Sequence, residues 1–194
     1  MSEPASGSVP GESGTERLFV ALTLPAPVRS ALAALPTPMV GVNWARPEQF
    51  HVTLRFLGDV TAGQRPRIIE RLNAVRVMSF VLPVEGLGTF PPPGRPPRVI
   101  WVGTGSGHPR LFQLRQRVDD ALLSAGLDLD VRTFHPHVTL ARCTENAGPA
   151  VSEWCSARRD FIAPPFRVGS FELYASELRP TGSVYSQRHS FPLQ

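Results

Sequence analysis

Two histidines in this chain begin the same four-residue motif. His51 and His137 each start the sequence His-Val-Thr-Leu, and their numbers differ by 86. Side chains alternate between the faces of a strand, so each histidine shares a face with the threonine two residues later, Thr53 or Thr139. If an internal repeat brings the two strands together, one cleft receives two imidazoles and two hydroxyls.

The opening of a strained cyclic phosphodiester by water suits this set of groups. One group must take a proton from water, and a second must give a proton to the departing ribose oxygen. Histidine can do both near neutral pH because its usual pKa is about 6.5, and a bell-shaped pH–rate profile is expected. The hydroxyls of Thr53 and Thr139 can donate hydrogen bonds to the phosphate oxygens. The scheme requires no metal and no cofactor.

Each motif is followed closely by an arginine, Arg55 in the first copy and Arg142 in the second. An arginine fork would add a charge-assisted contact to phosphate. Regular alternation places Arg55 on the histidine face and Arg142 on the opposite face. Arg142 therefore reaches the phosphate only if the strand ends or twists at Ala141.

His135 lies two residues before His137, on the same face, and we expect it to be structural or to orient that ring. A zinc site made of His51, His135 and His137 is an alternative. It is disfavoured because no carboxylate lies nearby and the threonines would have no role. Three aromatic rings could stack on a base, but we expect each to pack in the core: Trp44, Phe56 and Trp101. Phe56, Arg55 and His135 remain candidates for contact with substrate.

The pattern of apolar residues predicts strands and helices that alternate along the chain. Strands are predicted at 17–24, 42–44, 50–57, 80–84, 98–102, 134–141, 167–173 and 183–189. Helices are predicted at 27–35, 62–75, 111–125 and 149–157. This order indicates an α+β fold with a largely antiparallel sheet. The glycine motif of dinucleotide-binding folds is not present in the sequence.

Composition favours one folded domain over residues 17–194. With 42% hydrophobic residues the chain can bury a core, whereas residues 1–16 are rich in Ser, Gly, Pro and Glu and are predicted to form a flexible tail. This start does not resemble a signal peptide and no apolar run could cross a membrane, so we expect a cytoplasmic protein. Cys143 and Cys155 are expected to be reduced structural thiols.

All 20 basic residues are arginines, and the net charge is +4. A mildly positive field suits an anionic substrate. Arginine also matches phosphate oxygens better than a lysine point charge does. The charge is spread along the chain, without the dense basic block typical of a nonspecific DNA-binding protein.

Three segments resemble one known family. They are residues 44–58 (WARPEQFHVTLRFLG), 134–142 (FHPHVTLAR) and 171–176 (FELYAS). The chain resembles the 2H phosphoesterases, whose mark is two His-x-Thr/Ser motifs. It is most similar to the bacterial RNA 2′,3′-cyclic phosphodiesterases, long called LigT-type 2′-5′ RNA ligases. The resemblance covers residues 17–185.

The resemblance implies two pseudo-symmetric lobes with largely antiparallel sheets around a central cleft. It also implies hydrolysis of a 2′,3′-cyclic phosphate, on an RNA end or a nucleotide, to a 2′-phosphomonoester. In that reaction His51 would donate a proton and His137 would accept one. Thr53, Thr139 and Arg142 would bind the phosphate. We expect a monomer.

Two other functions remain open at this point. Reversible 2′-5′ RNA ligation is the same chemistry with an RNA hydroxyl in place of water. A noncatalytic module that binds RNA ends belongs to a different class. The presence of both histidines and both threonines argues against the binding module, and the products formed from tRNA halves would separate ligation from hydrolysis.

Overall fold

The computed structural model describes residues 14–106, 108–130, 133–180 and 182–194. Nine strands in these residues form one sheet, and each pairing between them is antiparallel. The strands are β1 (Thr15–Thr23), β2 (Val42–Trp44), β3 (His51–Thr61), β4 (Phe80–Phe90), β5 (Val99–Gly103), β6 (His137–Cys143), β7 (Ile162–Val168), β8 (Ser170–Arg179) and β9 (Gly182–Pro192).

Four α-helices occur in the described residues, and their apolar residues recur every three or four positions. In α3, for example, the residues buried at this spacing are Leu111, Leu114, Val118 and Leu122. None of these helices is long and apolar enough to cross a membrane. The helices are α1 (Ala26–Ala33), α2 (Arg65–Asn73), α3 (Pro109–Ser124) and α4 (Gly148–Ser156), and a 3₁₀ turn spans Pro47–Gln49.

The sheet consists of two lobes that meet at β3 and β6. Its order is β7-β4-β5-β6-β3-β1-β8-β9, and β2 pairs with β6 beside β3. The pair Val52 and Val138 joins β3 to β6. Strand β4 follows α2 in the chain but lies in the lobe of β5 and β6, whereas β8 returns to the lobe of β1 and β3. The predicted α+β fold with a largely antiparallel sheet is confirmed.

One apolar core lies between one face of the sheet and the helices. In β1 the residues Leu18, Val20 and Leu22 belong to this core together with residues of α1, α2 and α3. The alternate residues of β1, Phe19 and Ala21, are also buried but lie on the opposite face. The histidines of both motifs lie on that opposite face, because Val52 and Val138 beside them are in the core.

Several predicted boundaries were wrong: the strands predicted to end at 57 and 84 continue to Thr61 in β3 and to Phe90 in β4. The strand predicted at 167–173 is two strands, since β7 ends at Val168 and β8 begins at Ser170. Most of β7 escaped prediction because it contains Pro164 and Pro165, and proline cannot donate to a sheet. The strand lies at the edge of the sheet, where proline is tolerated.

The start of the folded region also differs from the prediction. Thr15 and Glu16, assigned to the tail, are the first residues of β1. The Glu16 carboxylate accepts from Arg65 at 2.7 Å and pairs with Arg188. The rest of the predicted tail, up to residue 13, lies outside the described residues.

Candidate active site

The two motifs lie side by side at the junction of the lobes. Val52 of β3 pairs with Val138 of β6, so the histidine and the threonine of each motif flank the residue at which the two strands meet. The face away from the core therefore carries two imidazoles and two hydroxyls in one compact group.

The backbone holds both imidazole rings in the same way. Nδ1 of His51 lies 2.7 Å from the carbonyl oxygen of Gln49, and Nδ1 of His137 lies 2.6 Å from the carbonyl oxygen of His135. A carbonyl oxygen can only accept, so Nδ1 carries the hydrogen in both rings. Nε2 of each histidine is left as the atom that can exchange a proton with a substrate.

Burial lowers the pKa of His51 below its usual value, although the hydrogen bond to the Gln49 carbonyl opposes this shift. The charge of His137 lowers the pKa of His51 further, which means that the two rings lie within electrostatic reach of each other. Burial also lowers the pKa of His137, and the hydrogen bond to the His135 carbonyl opposes it. Each ring can thus be neutral near pH 7 and still gain a proton when an anion lies beside it.

A β-bulge follows the threonine in each motif. In β6 the pairing with β5 shifts by one residue, so that Leu140 has no partner between Thr139 and Ala141. The extra residue reverses the alternation of side chains. Leu140 and Ala141 are both in the core, and Arg142, which is exposed, returns to the histidine face. Because of the bulge, Arg142 lies on the same face as the proposed phosphate site, whereas strict alternation would place it on the opposite face.

The matching bulge in β3 has the opposite effect on Arg55. Leu54 has no partner in β1, and both Leu54 and Arg55 lie on the helix side. The Arg55 guanidinium donates to both carboxylate oxygens of Asp119, at 2.8 and 2.6 Å, and its side chain is only 10% exposed. The prediction that Arg55 lies on the histidine face was wrong, and so was its candidacy for substrate contact.

Phe56 takes the place in the first lobe that Arg142 takes in the second, since their numbers also differ by 86. It is 68% exposed, so the prediction that it packs in the core was wrong. Its ring centroid lies 5.9 Å from that of Phe19, which places it on the histidine face. Among the described residues, the Arg142 side chain has no hydrogen-bond or ion-pair partner.

Different aromatic side chains enclose the two histidines. The ring of His51 lies 4.9 Å from Phe19 and 5.2 Å from Tyr185, measured between centroids. The ring of His137 lies 5.0 Å from Phe90 and 6.3 Å from Trp101. These rings exclude water from one side of each imidazole, which is the cause of the burial that lowers both pKa values.

Four residues that contact the histidines were not predicted from the sequence: Phe19, Tyr185, Phe90 and Gln49. Alternation in β1 could have placed Phe19 opposite the core-facing leucines, but nothing in the sequence pairs it with His51. The contribution of Gln49 to His51 is a main-chain carbonyl, which any residue type supplies. The equal spacing of Gln49 and His135 from their histidines was the available signal.

Three further predictions concern His135, the tryptophans and the cysteines. The His135 side chain is exposed, and its carbonyl holds His137. Trp44 packs against Trp154 beside the core, as predicted, whereas Trp101 lies on the histidine face.

No three histidine, cysteine or carboxylate side chains in the described parts of the chain are grouped to hold a metal ion. The cysteines are free and half-buried: Cys143 and Cys155.

A two-repeat α+β fold with a paired His-x-Thr motif defines a two-histidine phosphoesterase. The family model described as LigT-like phosphoesterase matches residues 22–101 and again residues 102–185. The chain belongs to the LigT-like phosphoesterase family. The boundary between the two matched halves falls within β5.

Named relatives and solved structures are similar over most of the chain. An RNA 2′,3′-cyclic phosphodiesterase of Aeropyrum pernix is 38% identical over 159 residues, which are 81% of this chain and 88% of the relative. One of Escherichia coli (strain K12) is 30% identical over 84% of this chain and 89% of the relative. The crystal structure of E. coli LigT complexed with 3′-AMP has a TM-score of 0.76 at 27% identity, covering 92% of this chain and 98% of that one.

Proposed function

We propose that this protein hydrolyses RNA 2′,3′-cyclic phosphodiester ends, or the corresponding cyclic nucleotides, to 2′-phosphomonoesters by two-histidine acid–base catalysis. The main support is the pair of matched imidazoles, each with Nδ1 held by a carbonyl and Nε2 left for proton transfer. Several relatives are RNA 2′,3′-cyclic phosphodiesterases, which agrees with this activity.

In the proposed reaction, Nε2 of His137 takes a proton from water as the water oxygen attacks phosphorus. Nε2 of His51 gives its proton to the 3′ oxygen of the ribose as the P–O3′ bond breaks. The phosphate stays on the 2′ oxygen, and the two histidines exchange protonation states. The resemblance to the family assigns which histidine has which role, because the matched hydrogen bonds alone treat the two rings alike.

The phosphate oxygens would be bound by Thr53, Thr139 and Arg142. Neither threonine hydroxyl has a hydrogen-bond partner among the described residues, so both are available as donors. The Arg142 guanidinium adds a positive charge on the same face. Donors fixed in place before the reaction stabilise charge in the transition state without reorganisation. Two side chains at the cleft, Phe56 and His135, remain candidates for contact with the rest of the substrate.

Incubation with 2′,3′-cyclic AMP tests the proposal directly. We expect 2′-AMP as the product, with equal rates in the presence and absence of EDTA because the histidines supply both proton transfers. Formation of 3′-AMP would contradict the assigned geometry. Tight binding of cyclic-ended RNA without turnover would favour the binding module, and a joined product from tRNA halves would favour ligation. A monomeric state and a cytoplasmic location remain predictions, to be tested by gel filtration and cell fractionation.

A further inference from the structure

A groove between α2 and α3 lies on the side of the sheet that is opposite the two histidines. Both helices pack on the core through leucines such as Leu72 and Leu122, whereas the histidines lie on the other face. The groove opens to solvent and has a volume of about 360 Å³. The lining of this α2–α3 groove includes Arg71, Arg76, Arg117, Asp120, Val75 and Ala121.

The charges that line the groove are mostly positive and unpaired. Three guanidinium groups and one carboxylate give it a net charge of +2. The carboxylate, Asp120, accepts a hydrogen bond from Nε2 of Gln116 at 2.9 Å. Among the described residues, neither the Arg71 nor the Arg117 side chain has a hydrogen-bond or ion-pair partner. Because like charges around one groove repel each other, the groove is complementary to an anion.

The third arginine is already held in place. The Nη1 atom of Arg76 donates to the carbonyl oxygens of Asn73 and Val75, at 2.6 and 2.9 Å. These carbonyls lie at the end of α2, so Arg76 also serves the helix. Its remaining nitrogens are left to bind a ligand, and a planar guanidinium matches phosphate oxygens well.

We propose that the α2–α3 groove binds backbone phosphates of an RNA strand whose cyclic end lies between the histidines. The proposal rests on the proposed function and narrows its substrate from cyclic nucleotides to RNA long enough to pass from one face of the sheet to the other. Arginines on two helices can contact successive phosphates, and such contacts add affinity without reading the sequence.

A cyclic mononucleotide cannot use this groove while its phosphate lies between the histidines. The sheet and the core separate the two places, because α2 and α3 cover one face and the motif histidines occupy the other. The groove therefore predicts a preference for length, which a site confined to the cleft does not.

An anionic lipid surface is the rival partner, and the charges around the groove disfavour it. Glu70 and Asp120 are exposed on the same two helices as Arg71 and Arg117. A flat anionic surface would meet these carboxylates as well as the arginines and be repelled by them. A single strand that follows the groove can contact the arginines without covering Glu70.

The first test measures binding of RNA that cannot react. Single-stranded RNA of about 16 nucleotides with an ordinary 3′-hydroxyl end is followed by fluorescence anisotropy. Combining Arg71→Gln with Arg117→Gln should raise Kd about tenfold, since each exposed ion pair changes affinity about two- to fivefold. Loss of two phosphate contacts should also lower the slope of log Kd against log salt by about 1.4.

Arg159→Gln is the matched control for each single groove variant, because it removes the same charge. The Arg159 side chain is 80% exposed and lies beyond α4, away from the groove. It should leave Kd and the salt slope near the wild-type values. Thermal unfolding should be unchanged in the double variant, because neither arginine has a partner in the described part of the fold.

The second test measures KM for two reacting substrates. One is the same RNA with a 2′,3′-cyclic phosphate end, and the other is 2′,3′-cyclic AMP, which serves as the internal reference. In the wild-type protein we expect a lower KM for the RNA. In the double variant the KM of the RNA should rise about tenfold relative to that of the nucleotide.

Four results would overturn the groove as an RNA site. They are an equal loss of RNA binding in Arg159→Gln, an equal rise of KM for both substrates, binding to phosphatidylserine vesicles in preference to RNA, and displacement of RNA by inorganic phosphate but not by chloride of equal ionic strength. The last would indicate a site for a single phosphate. If the wild-type protein hydrolyses neither substrate but binds RNA through Arg71 and Arg117, the proposed function fails and the groove stands.

Discussion

The two lobes hold their histidines alike and enclose them differently. His51 and His137 each donate Nδ1–H to the carbonyl two residues earlier, and a bulge follows each motif. Behind His51, the Tyr174 ring stacks on Phe19 at 5.4 Å, and its hydroxyl lies 2.5 Å from that of Thr23. The first lobe thus continues from an aromatic layer into a hydrogen-bonded polar layer.

Behind His137, the described residues of the second lobe form no comparable polar layer on this face. Phe90 and Trp101 pack against each other at 5.3 Å, and Gly88 lies where the first lobe has Glu172. The repeat therefore reproduces the backbone and the tautomer of each histidine but not the surrounding side chains. Any difference between the proposed roles of the histidines, and any preference for one side of the substrate, must arise from these surroundings.

The largest effect should come from removing either histidine, and the leaving group can tell the two roles apart. Each proton transfer contributes about 10²–10⁴-fold to the rate, so His51→Ala and His137→Ala should both lose that much kcat with 2′,3′-cyclic AMP. A substrate with sulfur in place of the 3′ oxygen needs little protonation of its leaving group. It should restore much of the rate to His51→Ala and little to His137→Ala.

Thermal unfolding of both variants is the control, because each histidine contacts aromatic side chains whose packing must survive. Restored activity in His137→Ala instead would exchange the proposed roles. Similar recovery in both variants would mean that the different surroundings do not separate acid from base.

The next effect concerns the arginines that follow the two motifs. Arg142→Ala should lower kcat/KM about 10- to 100-fold, since a hydrogen bond to a charged group contributes about 1.5–3 kcal/mol. Arg142→Lys should recover only part, because lysine lacks the planar fork. Arg55→Ala should instead lower the free energy of unfolding by about 3 kcal/mol, as expected when one partner of a buried ion pair is removed.

Steady-state kinetics and urea unfolding of the arginine variants measure the two quantities separately. The expected decrease in the free energy of unfolding of Arg55→Ala is at the lower end of the range for buried ion pairs, because Arg115 still donates to Asp119 at 2.9 Å. A purely kinetic effect of Arg55→Ala, with stability unchanged, would contradict the assignment of Arg55 to the helix side.

The sequence predicted the two equivalent strands of the lobes, but it did not predict the bulges that place the two arginines. The repeat of His-Val-Thr-Leu predicted two equivalent strands, and alternation predicted a shared face for each histidine and threonine. Strict alternation then gave the wrong face for Arg55 and left Arg142 dependent on a break at Ala141. A bulge depends on the partner strand as well as its own residues, so the insertion at Leu140 could not be predicted from the motif.

The sequence also did not predict that strands are exchanged between the lobes. Periodicity predicts that a segment is a strand but not which neighbour it pairs with, so nothing indicated that β4 joins the lobe of His137 and β8 the lobe of His51. The aromatic enclosure follows from that exchange. Phe90 reaches His137 from β4, and Tyr185 reaches His51 from β9.

A smaller effect is expected at Gln49, which is equivalent to His135. The Gln49 side chain accepts from the Arg46 backbone N–H and donates to the Ser183 carbonyl, both at 2.8 Å. It thereby fixes the 3₁₀ turn whose carbonyl holds His51. Each hydrogen bond contributes about 0.5–1.5 kcal/mol, so Gln49→Ala should lower kcat about 3- to 10-fold.

The pH–rate profile separates positioning of His51 from general destabilisation. The carbonyl bond raises the pKa of His51 against the effect of burial, so loosening it in Gln49→Ala should move the alkaline limb to lower pH. His135→Ala keeps its backbone carbonyl and should cause a smaller loss of kcat. A profile that drops uniformly without moving would indicate that Gln49 only stabilises the fold.

The smallest effect is the electrostatic coupling between the histidines, which NMR titration of the ring protons can measure. The pKa values of both histidines are lowered. In the pH profile of kcat/KM, the decrease caused by loss of the His51 proton should therefore lie below pH 6.5, which is the ordinary pKa of histidine. A bound phosphate anion favours the imidazolium, so the corresponding limb of kcat should lie at higher pH. In His137→Asn the nearby positive charge is lost, and the pKa of His51 should rise. No rise would mean that the rings are too far apart to share one phosphate.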